Sequence, residues 1–569
     1  MAKRPNKQKN PLSSSCADGS ISEELRSEGS APCENRVAGR IEKVVFAVLL
    51  ICAIVLHITV FMHSGGLWRD EVNTLNTSMI STFTEFWDKL QFESFPVLWF
   101  LILRTWVELG FGETDLALRA LGLIIGIGVL GSLWLAGRKL NIRFPLVSFI
   151  LIALCPTVFW GDSLRAYGLG ILLILLAMAY MWRALLDPVP WKMLVSLITA
   201  VLSVQCLYHN SFLLLALCIA GASVGLYLRN WKLFVFPLVV GAISAISVLP
   251  YYITVSKARA WGMIIKVPID LPRIFSVFRQ AIDPSGLFIS WVWYFLAMFA
   301  IVVFIWTLFA PSSNLTREKK ALMLFLLISM AVSVVSYVTF IKVLSYPTQV
   351  WYYLPLMAIL AIIIDKSIDV VCEKHTFCRF IRAASIAVIT IFLFMSSWDA
   401  AQVRKTNMDI IAAKLESVSM KNDLIVVFSF VYGISFARYY KGKAMWVTLP
   451  EIEDHSVHRW DLYKKRMMQN EPVKPVIGRM LQTLKQGNRV WLTGPLTFLR
   501  KGEIPGDLAP APQSPYGWDG YAYHVLWSRK TAFALQQHGQ TVSHIPVPAS
   551  YPVNKFENSP LLVVKGWRP

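Results

Sequence analysis

Residues 96–111 read PVLWFLILRTWVELGF, and whether they cross a membrane decides the topology of the whole chain. The run is apolar enough to resemble a span, but it is short, with Arg104 near its middle and Glu108 one turn later. A charge held at mid-bilayer costs at least ~2.5–3.5 kcal/mol. A helix lying in the membrane interface buries its apolar face and keeps both charges in water. If the segment crossed, Gly137-Arg138-Lys139 and Arg143 would fall outside, against the tendency of basic loops to stay in the cytoplasm. Read as interfacial, it puts the basic loops 137–143, 182–192, 229–232, 316–320 and 365–382 inside. The outside loops are then 63–115, 161–165, a turn around His209, 251–286 and 342–350.

Composition supports this frame. Hydrophobic residues make up 55% of the chain and charged residues only 16%, too few polar groups to coat one large soluble domain. Apolar runs of roughly 18–22 residues, the length that crosses a ~30 Å hydrocarbon core, recur between positions 44 and 398. The expected fold is an all-α polytopic membrane domain of about eleven transmembrane helices with a small C-terminal α/β extracytoplasmic domain. Residues 1–43 form a basic cytoplasmic arm, polar and disordered. Arg36, Arg40 and Lys43 hold it inside, ahead of a first span from Val44 to Met62. The membrane domain occupies 44–398, its first outer loop, 63–115, carrying the interfacial helices, and the soluble domain occupies 399–569.

In the tail, β-rich runs at 424–430, 443–449, 489–494 and 561–567 alternate with helical stretches such as Val457 to Asn470, and a loop rich in Pro and Gly runs from Gly502 to Gly520. The net charge of +20 does not mark a nucleic-acid binder, because the basic residues sit in short clusters between apolar runs, as the positive-inside bias and contact with anionic lipid require. No cysteine follows Cys378, so the tail holds no disulfide. Cys372, His375 and Cys378 match no standard zinc spacing and read as reduced thiols.

Unusual polar residues collect on the outer face. Gly65-Gly66-Leu67-Trp68-Arg69-Asp70-Glu71 follows the first span. Its carboxylate pair suits a general base or a cation ligand; equally, Asp70 and Glu71 would cap and stabilise the positive end of a following helix. The turn Trp160-Gly161-Asp162-Ser163-Leu164-Arg165-Ala166-Tyr167 places Arg165 where it must snorkel, hold a phosphate bidentately, or pair with Asp162 or a first-loop acid. Tyr208-His209-Asn210 is the break between two apolar runs, where a histidine serves either as an interfacial donor or as a functional group.

In this order, these features resemble the GT-C glycosyltransferases that use polyprenyl-phosphate sugars. Within them the resemblance is to the bacterial aminoarabinose transferase and lipopolysaccharide-core galacturonosyltransferase branch, related to protein O-mannosyltransferases. Asp70-Glu71 matches the family's Asp-Glu, Phe95-Pro96 the start of its interfacial helix, and Arg119 the Arg entering the second span. Pro156, Trp160 and SLRAYGLGILLILL match its acid-x-Arg-x-Tyr turn, with Ser163 at the usual acid position and Asp162 one earlier. Tyr208-His209 and Tyr352-Tyr353-Leu354-Pro355 match later turns, with Val350 or Trp351 where an Arg is frequent.

The resemblance implies an inverting membrane glycosyltransferase that moves one sugar from undecaprenyl phosphate to a lipopolysaccharide, other glycan or lipid acceptor beyond a bacterial cytoplasmic (inner) membrane. By that analogy Asp70 is the base and Glu71 orients or replaces it. Arg165 and His209 meet the donor phosphate, with Asp162, Tyr167 and Tyr353 around the donor. No cofactor is required, though Asp70, Glu71 and Asp162 could bind a divalent cation. The competing class is a lipid-linked sugar transporter or flippase, in which internal repeats and midplane polar residues are common; no repeat is evident here, and the polar groups share one face.

Overall fold

The computed structural model describes residues 33–261, 269–286, 288–309, 316–513 and 520–569. Of the arm expected at 1–43, positions 1–32 lie outside the described residues. The first helix, α1 (Cys33–His63), begins well before the expected span, because Asn35, Glu42, Arg379 and Arg382 hydrogen-bond one another at its start.

Three short helices of the first outer loop follow: α2 (Arg69–Ser78), α3 (Phe83–Lys89) and α4 (Leu98–Trp106). Helix α4 has 9 residues and so rises only ~14 Å, about half a hydrocarbon core. It runs into a π-helical turn, Val107–Phe111, in which Gly110 takes φ +95°. It buries Trp99, Phe100 and Leu103 and leaves Leu101 half exposed.

Next come α5 (Asp115–Lys139), α6 (Tyr167–Leu186), α7 (Pro190–Cys206), α8 (Asn210–Tyr227), α9 (Trp231–Val248), α10 (Tyr251–Trp261) and α11 (Leu271–Ile282). The membrane domain closes with α12 (Ile289–Phe309), α13 (Arg317–Leu344), α14 (Leu354–Lys374) and α15 (Thr376–Ala401). Among the described residues, 8 helices are long and apolar enough to cross a membrane by length and composition. Three further apolar segments complete the expected set, each departing from a simple span. Helix α7 is shorter at 17 residues.

Helix α14 is apolar from Leu354 to Ile364 and buried on every side, then turns charged at Asp365, Lys366 and Asp369; a helix that is apolar all round belongs at the centre of a bundle. Residues 146–160 form no continuous helix but a turn, a π-helical stretch (Phe149–Ala153) and a 3₁₀ stretch (Pro156–Trp160). Irregular backbone at that depth is tolerated where protein covers it and supplies partners. The Asp365 carboxylate accepts from the Ser148 N–H at 2.8 Å, and the Thr157 hydroxyl donates to the Ala281 carbonyl at 2.7 Å.

The tail folds around a sheet of β1 (Leu424–Phe428), β2 (Met445–Leu449), β3 (Val490–Thr493), β4 (Gly539–Ile545) and β5 (Leu561–Trp567) in the order β2-β1-β3-β5-β4. Strands β1, β2 and β3 are parallel, and β5 runs antiparallel to β3 and β4. Side chains alternate along β1: Leu424, Val426 and Phe428 enter one apolar cluster, Ile425 and Val427 another, as a strand covered on both faces requires. The helices doing the covering are α16 (Met408–Val418), α17 (Tyr432–Tyr439), α18 (Trp460–Met467), α19 (Lys474–Lys485) and α20 (Gly520–His538). Four of the strands lie where the β-rich runs predicted them. The fifth, β4, was missed because it is an exposed edge strand of mostly polar residues.

Three histidines of this domain are held neutral. Burial pushes His455, stacked on Trp446 at 4.5 Å, and His524, stacked on Phe428 at 4.2 Å, down to about 4, and does the same to His458. The unfolded chain binds these protons below about pH 6.5 while the fold resists them to about pH 4, so stability is present above that window and drains as pH falls through it. The melting temperature should drop by several degrees from pH 7 to pH 5, and by less in His524→Phe. A flat profile over that range would refute the assignment.

Candidate functional site

The site begins with one arginine. Arg119, in the first turns of α5, donates from Nε to the Gly65 carbonyl at 2.8 Å and from Nη2 to the Gly66 carbonyl at 2.7 Å. Its Nη1 and Nη2 also meet the two Glu71 oxygens at 3.1 and 3.0 Å. Glu71 has no exposed surface, and it accepts in addition from the backbone N–H of Leu164 at 3.0 Å and of Trp68 at 3.3 Å. One carboxylate thereby ties the start of α2, the start of α5 and the 161–165 turn together. Glycine makes the approach possible: a Cβ on Gly122 of α5 would stand 1.9 Å from the Asp162 carbonyl oxygen, and Gly65 takes φ +64° under the Arg404 guanidinium.

Asp70, next to Glu71, and Arg165, next to Leu164, face a cavity of about 420 Å³, lined also by Glu93, Ser94, His209 and Tyr352, with His458 and Trp460 from the C-terminal domain. That volume is in the range of small-molecule sites. Every loop assigned above to the outer face contributes to its wall, which includes Thr254 and Tyr346. Arg165 Nη1 donates to the Asp70 carbonyl (3.1 Å), the Thr74 hydroxyl (2.7 Å) and Glu93 Oε2 (3.2 Å). Its guanidinium lies 4.4 Å from the centre of the Phe95 ring, and its Nε is buried without a hydrogen-bond partner.

Burial raises the Asp70 carboxyl, but Arg165 and Arg69 beside it outweigh burial and hold it below the usual carboxylate value. Burial, helped by Asp70, lifts Glu93 above its usual value despite Arg165. Two acids on one wall are thus driven apart in proton affinity by their surroundings.

Of the residues read from sequence, Asp70, Arg165 and His209 line the cavity, and Glu71, Asp162, Tyr167 and Tyr353 do not. Asp162 does not reach Arg165's side. It bonds His57 of α1 at 2.6 Å, both fully enclosed, with His57 Nε2 and Asp162 Oδ1 left without partners. Tyr167 packs edge-on to Phe95 at 5.3 Å. Tyr353 turns inward to bond Thr348 at 3.1 Å, and its neighbour Tyr352 takes the cavity wall. Trp68 joins Trp160, Trp351 and Phe556 in an aromatic cluster with ring centres 4.3–6.3 Å apart. Asp70, Glu71 and Asp162 do not converge; among the described residues no three His, Cys, Asp or Glu side chains are grouped as metal ligands.

Glu93 and His458 were not anticipated. Glu93 had a signal, being an acid set in the apolar run FESFP just before the interfacial helix. It also accepts from Asn73 at 2.5 Å. His458 had none: the Asn73 side chain accepts its backbone N–H at 2.6 Å across 385 positions of sequence, and its ring Nε2 is buried without a partner. The C-terminal domain is anchored beside it. Glu557 accepts from the Arg69 backbone N–H at 2.8 Å and from Thr406 and Ser435, and burial raises its carboxyl to about 7. Arg438 pairs with Asp115 at 2.6 Å.

The chain matches no protein-family model, and a search of curated proteins finds no match. In structure it is similar to ArnT from Cupriavidus metallidurans in the apo state, at 12% identity and a TM-score of 0.48, over 91% of this chain and 97% of that one. The same protein bound to undecaprenyl phosphate gives 12% identity and a TM-score of 0.46 over the same shares. The Archaeoglobus fulgidus oligosaccharyltransferase in complex with Zn and sulfate gives 12% identity and a TM-score of 0.47, over 89% of this chain and 73% of that one.

Neighbouring acids should therefore respond differently to mutation. Arg119→Ala strands the buried Glu71 charge and should cost ~3–5 kcal/mol of stability, seen as lost folded protein or a lowered melting temperature in detergent. Asp70→Asn, in a carboxylate that faces the cavity, should melt within a few degrees of the unmodified chain. Equal melting temperatures for Arg119→Ala and the unmodified protein would show that the clamp does not hold the loop.

Proposed function

We propose that this chain is a membrane glycosyltransferase that moves a single sugar from a polyprenyl-phosphate carrier to a hydroxyl acceptor, with inversion at the anomeric carbon. The observation that carries this reading is the pairing, on the wall of one cavity at one end of the helical bundle, of an ionised carboxylate with a buried guanidinium. Asp70 takes the proton of the acceptor hydroxyl as its oxygen bonds the anomeric carbon. The bond from that carbon to the phosphate oxygen breaks on the opposite face, and the leaving phosphate carries the electron pair away. Arg165, with Nε free to donate, stabilises that anion in a site shielded from water.

Glu93 and Thr74 hold the guanidinium in place, and His209 offers a further donor along the cavity. Glu71 orients Asp70 by fixing the first turn of α2. The cavity end is placed on the far side of a bacterial inner membrane from the N-terminus, as the basic loops at the other end favour, and the acceptor is a lipopolysaccharide, another envelope glycan or a lipid.

The test is transfer by purified protein, using a panel of radiolabelled undecaprenyl-phosphate sugars with a membrane-glycan extract as acceptor. Asp70→Asn should abolish transfer while leaving the fold intact. Arg165→Ala should slow turnover by roughly 10²–10³, the cost of one removed oxyanion donor, and raise the donor concentration required. Near-normal transfer by Asp70→Asn would remove it from the mechanism. No transfer with any donor, from a protein that still carries the lipid across a vesicle membrane, would replace the enzyme with a transporter.

A further inference from the structure

At the other end of the bundle lies a second cavity, of about 540 Å³. The helices themselves establish the separation: Tyr352, just ahead of α14, walls the first cavity and Lys366 and Asp369, late in α14, wall the second, while α13 contributes Leu344 to the first and Lys319 to the second. The 25 positions between those α13 residues correspond to roughly 38 Å of helix.

The walls of this cavity carry five cations, Arg143, Lys319, Lys366, Arg379 and Arg382, against three carboxylates, Glu42, Asp369 and Glu373. All three carboxylates are engaged: Glu373 accepts from Lys319 at 3.0 Å at the rim, and the other two lie deeper in the wall. Glu42 has no exposed surface, accepting from Arg379 at 2.5 Å and from Arg382, and Asp369 accepts from Lys366 at 2.8 Å. Arg382 is only 7% exposed, yet its Nε and Nη1 have no hydrogen-bond partner, with Asp369 standing 3.6 Å from Nη1. Buried guanidinium donors without an acceptor are costly, and a charged N–H donor suits an oxygen of a phosphate.

We propose that this cavity binds a phosphate-bearing anion, whose sources are the headgroup of an acidic phospholipid or free inorganic phosphate. Arg382 and Lys366 meet the phosphate oxygens, and the half-exposed Lys319 guards the rim. Leu322, Met323 and Val370 give the same cavity an apolar wall on which a lipid's glycerol and first acyl carbons would lie. Basic pockets between helix ends at the membrane surface recognise lipid phosphates by this combination.

The experiment uses the full chain, delipidated in a neutral detergent and compared with a Lys319→Glu/Lys366→Gln double variant and with Arg382→Gln. Native mass spectrometry measures retention of phosphatidylglycerol against phosphatidylcholine, and a thermal melt measures the effect of added inorganic phosphate. The unmodified protein should retain phosphatidylglycerol roughly tenfold over phosphatidylcholine, a preference lost with the wall charges. Of the double variant's lysines only Lys319 is half exposed and Lys366 is buried, so Lys319→Glu alone, measured in the same way, keeps the reading testable if Lys366→Gln or Arg382→Gln fails to fold. No lipid preference, but a phosphate-induced rise in melting temperature that the double variant lacks, would assign the site to the free anion. Equal phosphatidylglycerol retention by all folded variants, with no phosphate effect, would overturn the proposal.

Discussion

The bond between Arg119 and Glu71 fixes the geometry on which the cavity depends. Two charges taken wholly out of water gain little net stability from each other, because desolvation consumes most of their attraction. What the pair supplies is register. Glu71 also accepts two backbone N–H groups from segments 93 and 3 positions away, and Arg119 closes on two carbonyls of the preceding Gly-Gly turn. Asp70 is next to Glu71 itself and Arg165 next to Leu164, whose N–H Glu71 accepts, so the clamp sets the backbone position of both.

The C-terminal domain completes the wall. Asn73 accepts from the His458 backbone and donates to Glu93, so a single side chain connects the two parts of the structure through the cavity lining. The cations around Asp70 keep it ionised, and burial raises Glu93 on the same wall. That difference lets one wall hold a carboxylate that stays ionised and another that takes up a proton more readily.

Much of this was legible in the sequence, and the failures have physical causes. The repeating apolar runs specify the helical domain through their length alone, and the alternation in the tail specifies four strands. Asp70-Glu71 stood out as a unit, but neighbours on a helix are separated by about a third of a turn. One therefore faces the cavity while the other enters the core. The same rotation on a 3₁₀ turn exchanges Tyr353 for Tyr352. Asp162 looked like a partner for Arg165 on spacing; its true partner, His57, is 105 positions away in the middle of an apolar helix, where no local pattern points to it. His458 is invisible for the same reason, since only the packed fold brings it to Asp70.

The hydrogen bond between Arg69 and Glu557 spans 488 positions. A ribosome delivering this chain into a bilayer releases the first half of that bond long before the second. Through the whole of that interval the helices can insert and pair, but the turn that holds Asp70 waits for its final anchor. Contacts so distant in sequence form late, so a nascent chain carries an unfinished pocket. The turn that holds Asp70 is thus completed only once synthesis has passed Glu557.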